Sequence, residues 1–280
     1  MRSYILTLSC PNRIGIVAAV AGFLAERQGD ILESAQFDDR ASGRFFMRVR
    51  FEIAADESPL TEAFRPVAEA FRMDWSLGDA ARRPRLLILV SKFGHCLNDL
   101  LYRYGSGLLK ADIAAVVSNH RDFYRLAASY DVPFHHLPVT PDTKVAQERR
   151  VLDVVAEERI DCVVLARYMQ VLSRDMCEAL AGRAINIHHS FLPSFKGAAP
   201  YTQAHARGVK LIGATAHYVT PDLDEGPIIE QDVTRVDHTM TPDDLMAAGR
   251  DVECSVLARA VRFHIERRVL PNGNRTVVFR

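Results

Sequence analysis

Arg85-Leu86-Leu87-Ile88-Leu89-Val90 follows Pro84 as an unbroken apolar run. A strand with one wet face alternates apolar and polar residues, so a run without alternation belongs to a strand covered on both sides. Further runs of this kind come in step with helical patterns. Strands are predicted over residues 113–117, 133–137, 162–166 and 184–188, and helices over 121–130, 144–158 and 174–180. This alternation predicts an α/β fold, an open, mostly parallel, doubly wound sheet. In such sheets the chemistry sits just beyond the carboxyl ends of the strands. After His189 the alternation lapses. A polar loop over 190–200 leads to a short helix over 201–207 and two strands over 211–219 and 227–236. A long amphipathic helix over 242–268 follows, and a tail strand over 276–279 is expected to close an edge.

Upstream of Pro84 the pattern is different. Strands are predicted over 4–8, 31–37 and 44–53 with a short last one at Trp75 and Leu77, and helices over 14–27 and 60–71. Cys10-Pro11-Asn12-Arg13 reads as a turn, and Gly43 fits a tight turn between two strands. In residues 44–53 Phe45, Met47, Val49 and Phe51 alternate with Arg48 and Arg50, which predicts one dry and one wet face. The order β-α-β-β-α-β predicts a split βαβ, ferredoxin-like sheet. The expected division is therefore a small unit over 1–79, a polar linker over 80–84 and a larger unit over 85–280.

Bulk properties narrow the function. The 280 residues are 48% hydrophobic and 25% charged, an ordinary globular balance. Thirty-five basic and 35 acidic residues cancel, so no concentrated positive field points to nucleic acid. No apolar run is long enough to span a bilayer and no signal-peptide pattern opens the chain, so a cytoplasmic protein without a membrane partner is expected. Cysteines 10, 96, 162, 177 and 254 match no zinc or iron–sulfur spacing and are expected as reduced, mostly buried thiols.

The segment richest in chemistry is Ile185-Asn186-Ile187-His188-His189-Ser190. On a strand, Asn186 and His188 point the same way. A carboxamide and an imidazole at a strand end can donate to a developing oxyanion and move a proton. The plainer alternative is two satisfied polar residues in a sheet. Thr220-Pro221-Asp222-Leu223-Asp224-Glu225-Gly226-Pro227 is a loop between the late strands. Asp224 is either a turn former or a carboxylate reaching into the site. His188, His189 and His217 with a carboxylate could make a zinc site, but strand alternation sets His188 and His189 on opposite faces. No metal is expected. Ala166-Arg167-Tyr168-Met169-Gln170-Val171-Leu172 follows a strand and forms either a slot wall for a flat ring or a loop packed on its own helix. Ser91-Lys92-Phe93-Gly94-His95-Cys96-Leu97-Asn98 lies where a phosphate loop would lie, yet a single glycine among bulky neighbours makes a poor cradle.

Asn186-Ile187-His188-His189-Ser190-Phe191-Leu192-Pro193, Lys196-Gly197, His217-Tyr218, Leu223-Asp224-Glu225-Gly226-Pro227, Val117-Ser118-Asn119 and residues 166–172 together resemble the folate-dependent formyltransferase family over roughly 85–268. Cys10-Pro11-Asn12-Arg13-Ile14-Gly15-Ile16-Val17 resembles the ACT domain, a small ligand-sensing or dimerising module, with Asn12 where an Asp is usual. The resemblance implies catalytic roles for Asn186, His188 and Asp224. It implies a folate slot made by Arg167, Tyr168, Met169, Gln170, Val171, Leu172, Asp222 and Glu225. Members that formylate a nucleotide carry a Gly/Ser-rich loop at the first crossover, where this chain has Phe93, His95 and Cys96. The implied reaction is therefore hydrolysis of 10-formyltetrahydrofolate to formate and tetrahydrofolate, within one-carbon metabolism and purine biosynthesis. Transfer to an amine, or a non-catalytic sensor, are the alternatives. No tightly bound cofactor is expected, folate being the substrate. A homo-oligomer, with methionine or glycine as effector at the front unit, is also implied.

Overall fold

The strand pattern of residues 44–53 becomes an inner strand of a four-stranded antiparallel sheet. The elements are β1 (Arg2–Pro11), α1 (Ile16–Ala25), β2 (Asp30–Asp39), β3 (Arg44–Ile53), α2 (Glu57–Phe71) and β4 (Asp74–Asp79), in the order β2-β3-β1-β4. One face carries Leu6, Leu8, Phe45, Met47, Val49 and Phe51 against Val20, Phe23, Leu24, Leu60 and Phe64 of the two helices. Cys10 and Pro11, expected in a turn, still pair with Phe45 and Arg44, proline being tolerated at a strand end. The chain enters α1 through Gly15 at φ 98°, a left-handed conformation that favours glycine, which is why the helix starts at Ile16 and leaves Ile14 exposed.

The face read as wet is only partly so. Arg50 is exposed, but Arg48 is 2% exposed and Phe46 is fully buried. A C-terminal hairpin, Val269–Asn272 with Arg275–Val278, packs Leu270 and Phe279 on Phe46. Arg48 donates to the Glu266 carbonyl from Nε and Nη2 at 3.2 and 3.1 Å, and its Nη1 pairs with Glu33. Residues 266–280, expected with the larger unit, thus belong to the smaller one. The computed structural model describes residues 1–192 and 200–280, and it divides into Met1–Arg82 with Glu266–Arg280, and Arg83–Ile265.

The second unit begins with the unbroken apolar run after Pro84, which forms β5 (Arg85–Val90). It continues with α3 (His95–Gly105), β6 (Asp112–Ser118), α4 (Tyr124–Ala128), β7 (Phe134–His136), α5 (Lys144–Glu157), β8 (Cys162–Leu165), α6 (Arg174–Ala179) and β9 (Ala184–His188). α7 (Pro200–Arg207), β10 (Leu211–Tyr218), β11 (Ile228–Arg235) and α8 (Pro242–Ile265) complete it. The sheet order is β11-β10-β9-β8-β5-β6-β7, with β7 to β9 parallel through β5 and the two late strands antiparallel. Leu87, Leu89, Val117, Val163 and Leu165 pack against Val151, Val154 and Val155 of α5, while Leu86, Ile88 and Val90 are equally buried, so both faces of β5 are covered. α3 was not read as a helix. Its first turn carries the polar pair His95 and Asn98, which masks the apolar stripe of Leu97, Leu100 and Leu101. The chain steps from β5 outward to β7 and then back to β8 on the other side of β5, which opens a crevice at the carboxyl ends of β5 and β8. Among the described residues no helix is long and apolar enough to cross a membrane. Cys10, Cys96, Cys162 and Cys177 are buried and all five thiols are free.

Phe279→Ala should lower the stability of the first unit by about 2–4 kcal/mol, because it opens a gap over Phe46. Urea unfolding followed by the fluorescence of Trp75, which packs against that unit's core, measures it.

Candidate active site

The late antiparallel pairing builds the centre of the site. β10 runs beside β9 in the register Thr215 to His188 and His217 to Asn186. His217 Nδ1 donates to the Tyr218 carbonyl at 2.9 Å, which leaves Nε2 to accept from Asn186 Nδ2 at 3.3 Å. After Tyr218 the chain turns through Thr220, whose hydroxyl donates to the Asp222 carbonyl at 3.0 Å, and brings Asp224 back over the strand ends. His188 Nδ1 lies 3.2 Å from Asp224 Oδ1, and His217 Nε2 lies 3.7 Å from the same oxygen. The hydrogen bond from His188, foremost, holds the Asp224 carboxyl far below the usual carboxylate range, against the opposing effect of burial. Asp224 has φ 59°, a left-handed conformation rare outside glycine and of a kind found at functional sites.

Gly226 makes this approach possible. A Cβ there would overlap the Tyr218 carbonyl oxygen, the acceptor that fixes His217, and would crowd His217 Nδ1. The loop following β9 is pinned from the other side. Thr215 Oγ1 donates to the Ser190 carbonyl at 2.9 Å and accepts from the Leu192 amide at 3.1 Å. His188 Nε2 meets Ser190 Oγ at 3.1 Å.

These groups border a cavity of about 440 Å³, within the range of small-molecule sites. Asn186, His188 and Asp224 all line it, and so do Arg167, Tyr168, Met169, Gln170, Val171 and Leu172. Met169, Val171 and Leu223 are more than half exposed, an apolar rim suited to a flat ring. Asp222 and Glu225, expected in the slot, are exposed and are not among its lining residues. The turn that aims Leu223 and Asp224 inward places the residues on either side of them toward solvent. Tyr168 is mostly turned into the core, where its hydroxyl accepts from Gln147 Nε2 at 2.8 Å. Pro193, Lys196 and Gly197 lie outside the described residues.

His188 and His189 do not face opposite ways as strand alternation would require. β9 ends at His188, so alternation no longer governs His189. Its ring stacks on that of His188, with centroids 4.9 Å apart and planes at 22°, and both line the cavity. Arg167 Nη1 donates to His189 Nδ1 at 2.7 Å. Burial, then the charge of Arg167, pushes His189 down to about 4. Behind Arg167 stands Glu253 on α8, in contact with His95 and Tyr201. His95, Cys96 and Glu253 have ligand atoms within 4.8 Å of one another, but Arg167 Nε at 3.4 Å from the same carboxylate competes with any cation. His217, His189 and the Glu253 group received no role from the sequence. Knowledge of the β9–β10 register would have shown His217. Nothing local marks Glu253 in an amphipathic helix.

A family model for formyl transferases matches residues 84–261, and one for the ACT domain matches residues 4–69. The class is thus a formyl-transferase domain preceded by an ACT module. Among curated relatives, formyltetrahydrofolate deformylase of Corynebacterium sp. (strain P-1) is 53% identical over 99% of this chain and 98% of its own, and that of Bacillus subtilis 49% identical over 98% and 93%. The crystal structure of formyltetrahydrofolate deformylase from Burkholderia mallei superposes with a TM-score of 0.97 at 58% identity, covering all of both chains. Glycinamide ribonucleotide transformylase 1 from Symbiobacterium toebii matches 71% of this chain and 95% of its own, at 30% identity and a TM-score of 0.66. The chain belongs to the formyltetrahydrofolate deformylase family.

Two outcomes follow from this geometry. Gly226→Ala should abolish activity while leaving most of the fold's stability, since the added methyl must push the Asp224 turn away from His217; circular dichroism with an activity assay separates the two. His189 takes up its proton less readily in the folded chain, at about 4 against about 6.5 unfolded, so folding stability should fall as pH drops from 6.5 towards 4. His189→Gln should remove that part of the pH dependence, seen as a flatter curve of Tm against pH.

Proposed function

We propose that this chain hydrolyses 10-formyltetrahydrofolate to formate and tetrahydrofolate, using Asp224, His188 and Asn186. The observation that carries this reading is the meeting of a carboxylate, an imidazole and a carboxamide in one cleft, with an apolar-rimmed slot beside them. The pterin lies in the slot walled by Arg167 to Leu172 and by Val219, Thr220, Pro221 and Leu223. The formyl group on N10 then reaches Asn186 and His188.

The Asp224 carboxyl, held ionised, accepts a hydrogen bond from a water and aims its lone pair at the formyl carbon. As water adds, negative charge grows on the formyl oxygen. Asn186 has a second N–H besides the one facing His217, and His188, when protonated, donates from both ring nitrogens. Both act as oxyanion donors. The proton released by water passes through Asp224, and N10 gains a proton from His188 or through water. The C–N bond then breaks, releasing formate and tetrahydrofolate. The scheme needs no tightly bound cofactor. His217, fixed by the Tyr218 carbonyl, keeps Asn186 and Asp224 in place.

Water is the acceptor in this reading because Phe93, His95 and Cys96 stand where a phosphate-grade loop would cradle a nucleotide amine. The ACT-like unit responds to a small amino acid, methionine or glycine being the first to test, and pairs with a second copy of the chain. The setting is the cytoplasm and the control of the one-carbon pool that feeds purine biosynthesis.

Enzyme mixed with 10-formyltetrahydrofolate alone should release formate with no amine acceptor present, and addition of methionine or glycine should change the rate. His188→Ala and Asp224→Ala should each lower kcat by on the order of a hundredfold or more, equivalent to about 3 kcal/mol, with little change in folate affinity. Asn186→Ala should do less damage. Unchanged formate release by His188→Ala would overturn the assignment.

A further inference from the structure

Glu253 is an expensive residue with no part in the scheme above. Its side chain is 1% exposed on a helix whose other buried residues are all uncharged and apolar or glycine, from Leu245 to Phe263. A lone buried carboxylate costs several kcal/mol. Here three donors surround it: His95 Nε2 lies 2.7 Å from Oε2, the Tyr201 hydroxyl donates to Oε1 at 2.9 Å, and Arg167 Nε lies 3.4 Å from Oε2. Burial acts to raise its carboxyl, but these neighbours outweigh it and hold the group below the usual range. The contact with Tyr201 is built in. The Tyr201 ring fills the space a Cβ at Gly249 would take, one turn before Glu253 on the same helix.

The Arg167 side chain is 10% exposed and rises from a left-handed backbone at φ 64°. Its Nε is buried without a hydrogen-bond acceptor, so Glu253 holds it by charge. Its Nη1 donates to His189 Nδ1 at 2.7 Å. A guanidinium cannot accept a hydrogen bond, so His189 must present Nδ1 as a lone pair. That ring lies flat against His188, which in turn donates to Asp224. The contacts therefore run without a break from a buried helix to the reacting groups.

We propose that Glu253 is a positioning residue for deformylation: it anchors Arg167, which fixes His189 as a hydrogen-bond acceptor stacked on His188, so that the charge and orientation of His188 are set from α8. Arg167 then acts as a link in this relay besides forming part of the slot wall. The inference rests on His188 handling the formyl oxygen. The charged and titratable groups around the stacked pair are Asp224 and His217 from the β10–β11 side, Arg167 after β8, and Glu253 with His95 and Tyr201 beyond it.

Glu253→Gln keeps the shape and removes the charge, leaving the Arg167 cation uncompensated beside the two imidazoles. Formate release from 10-formyltetrahydrofolate, measured across pH, should show kcat reduced by about tenfold or more and KM within about twofold. The alkaline-side midpoint of the kcat profile, where protonated His188 is lost, should move to lower pH by on the order of half a unit to one unit, because an extra positive charge opposes protonation. Glu253→Gln combined with Arg167→Gln should return the midpoint to the parent position while kcat stays low. A parent-like kcat and profile in Glu253→Gln overturns the proposal, and so does a lowered kcat with an unmoved midpoint, which marks packing alone. Should that variant not fold, nitrogen-15 NMR of the parent decides, with His189→Gln giving the assignment. Nδ1 of His189 should be unprotonated at neutral pH, and a protonated Nδ1 there overturns the relay. His188→Ala separates the two readings: if it retains turnover the reaction scheme fails, whereas an inactive His188→Ala with a parent-like Glu253→Gln sinks the relay alone.

Discussion

The reversal of chain direction at β10 is the constraint on which the site depends. A purely parallel sheet would put Asn186 and His188 at a strand end facing a crossover loop. The antiparallel strand instead lays His217 against Asn186 and returns the chain at the same edge, so a short turn can drop Asp224 onto both imidazoles. A slip of one residue would move His217 to the other face of the sheet and strand the carboxylate. The small residues at this edge are there to permit close approach. Gly213 has no room for a side chain against the Asp232 backbone, and Gly226 has none against Tyr218.

The price of that convergence is a concentration of charge and strain in one half-buried pocket. Two residues sit in left-handed backbone at the site, Arg167 and Asp224, and each holds its conformation through side-chain partners on other elements. The buried carboxylate of Glu253 and the guanidinium of Arg167 balance each other, which lets a histidine with little tendency to take a proton stand beside the His188–Asp224 pair. Two neighbouring imidazoles in one sequence therefore stand in different electrostatic surroundings, one against a carboxylate and one against a guanidinium.

Much of this was legible in the chain before any coordinates. Apolar continuity at residues 85–90 fixed the sheet type, and the two-residue spacing of Asn186 and His188 put them on one face. The bounds of β3 and β9 were read as they stand. What escaped was everything that depends on long-range pairing. Arg48 read as solvent-facing because nothing near it in sequence reveals that residues 266–280 come back to cover it. His189 was turned away from the site by an alternation rule that stops where the strand stops. Asp222 and Glu225 came with the slot that the family resemblance implies, and a motif match carries no information on which way each side chain of a tight turn points. Glu253 and Tyr201 are joined by tertiary packing across 52 positions, which no local pattern records.

The placement of the C-terminal hairpin has a bearing on how the molecule is born. Its first unit is encoded at both extremities of the sequence, with the whole formyl-transferase domain between them. During synthesis the βαββαβ portion emerges first, yet Arg48 and Phe46 wait for their cover until residues 266–280 leave the ribosome. The module at the front is thus the last to mature, and the nascent chain cannot display a finished ACT module before its formyl-transferase domain has been made.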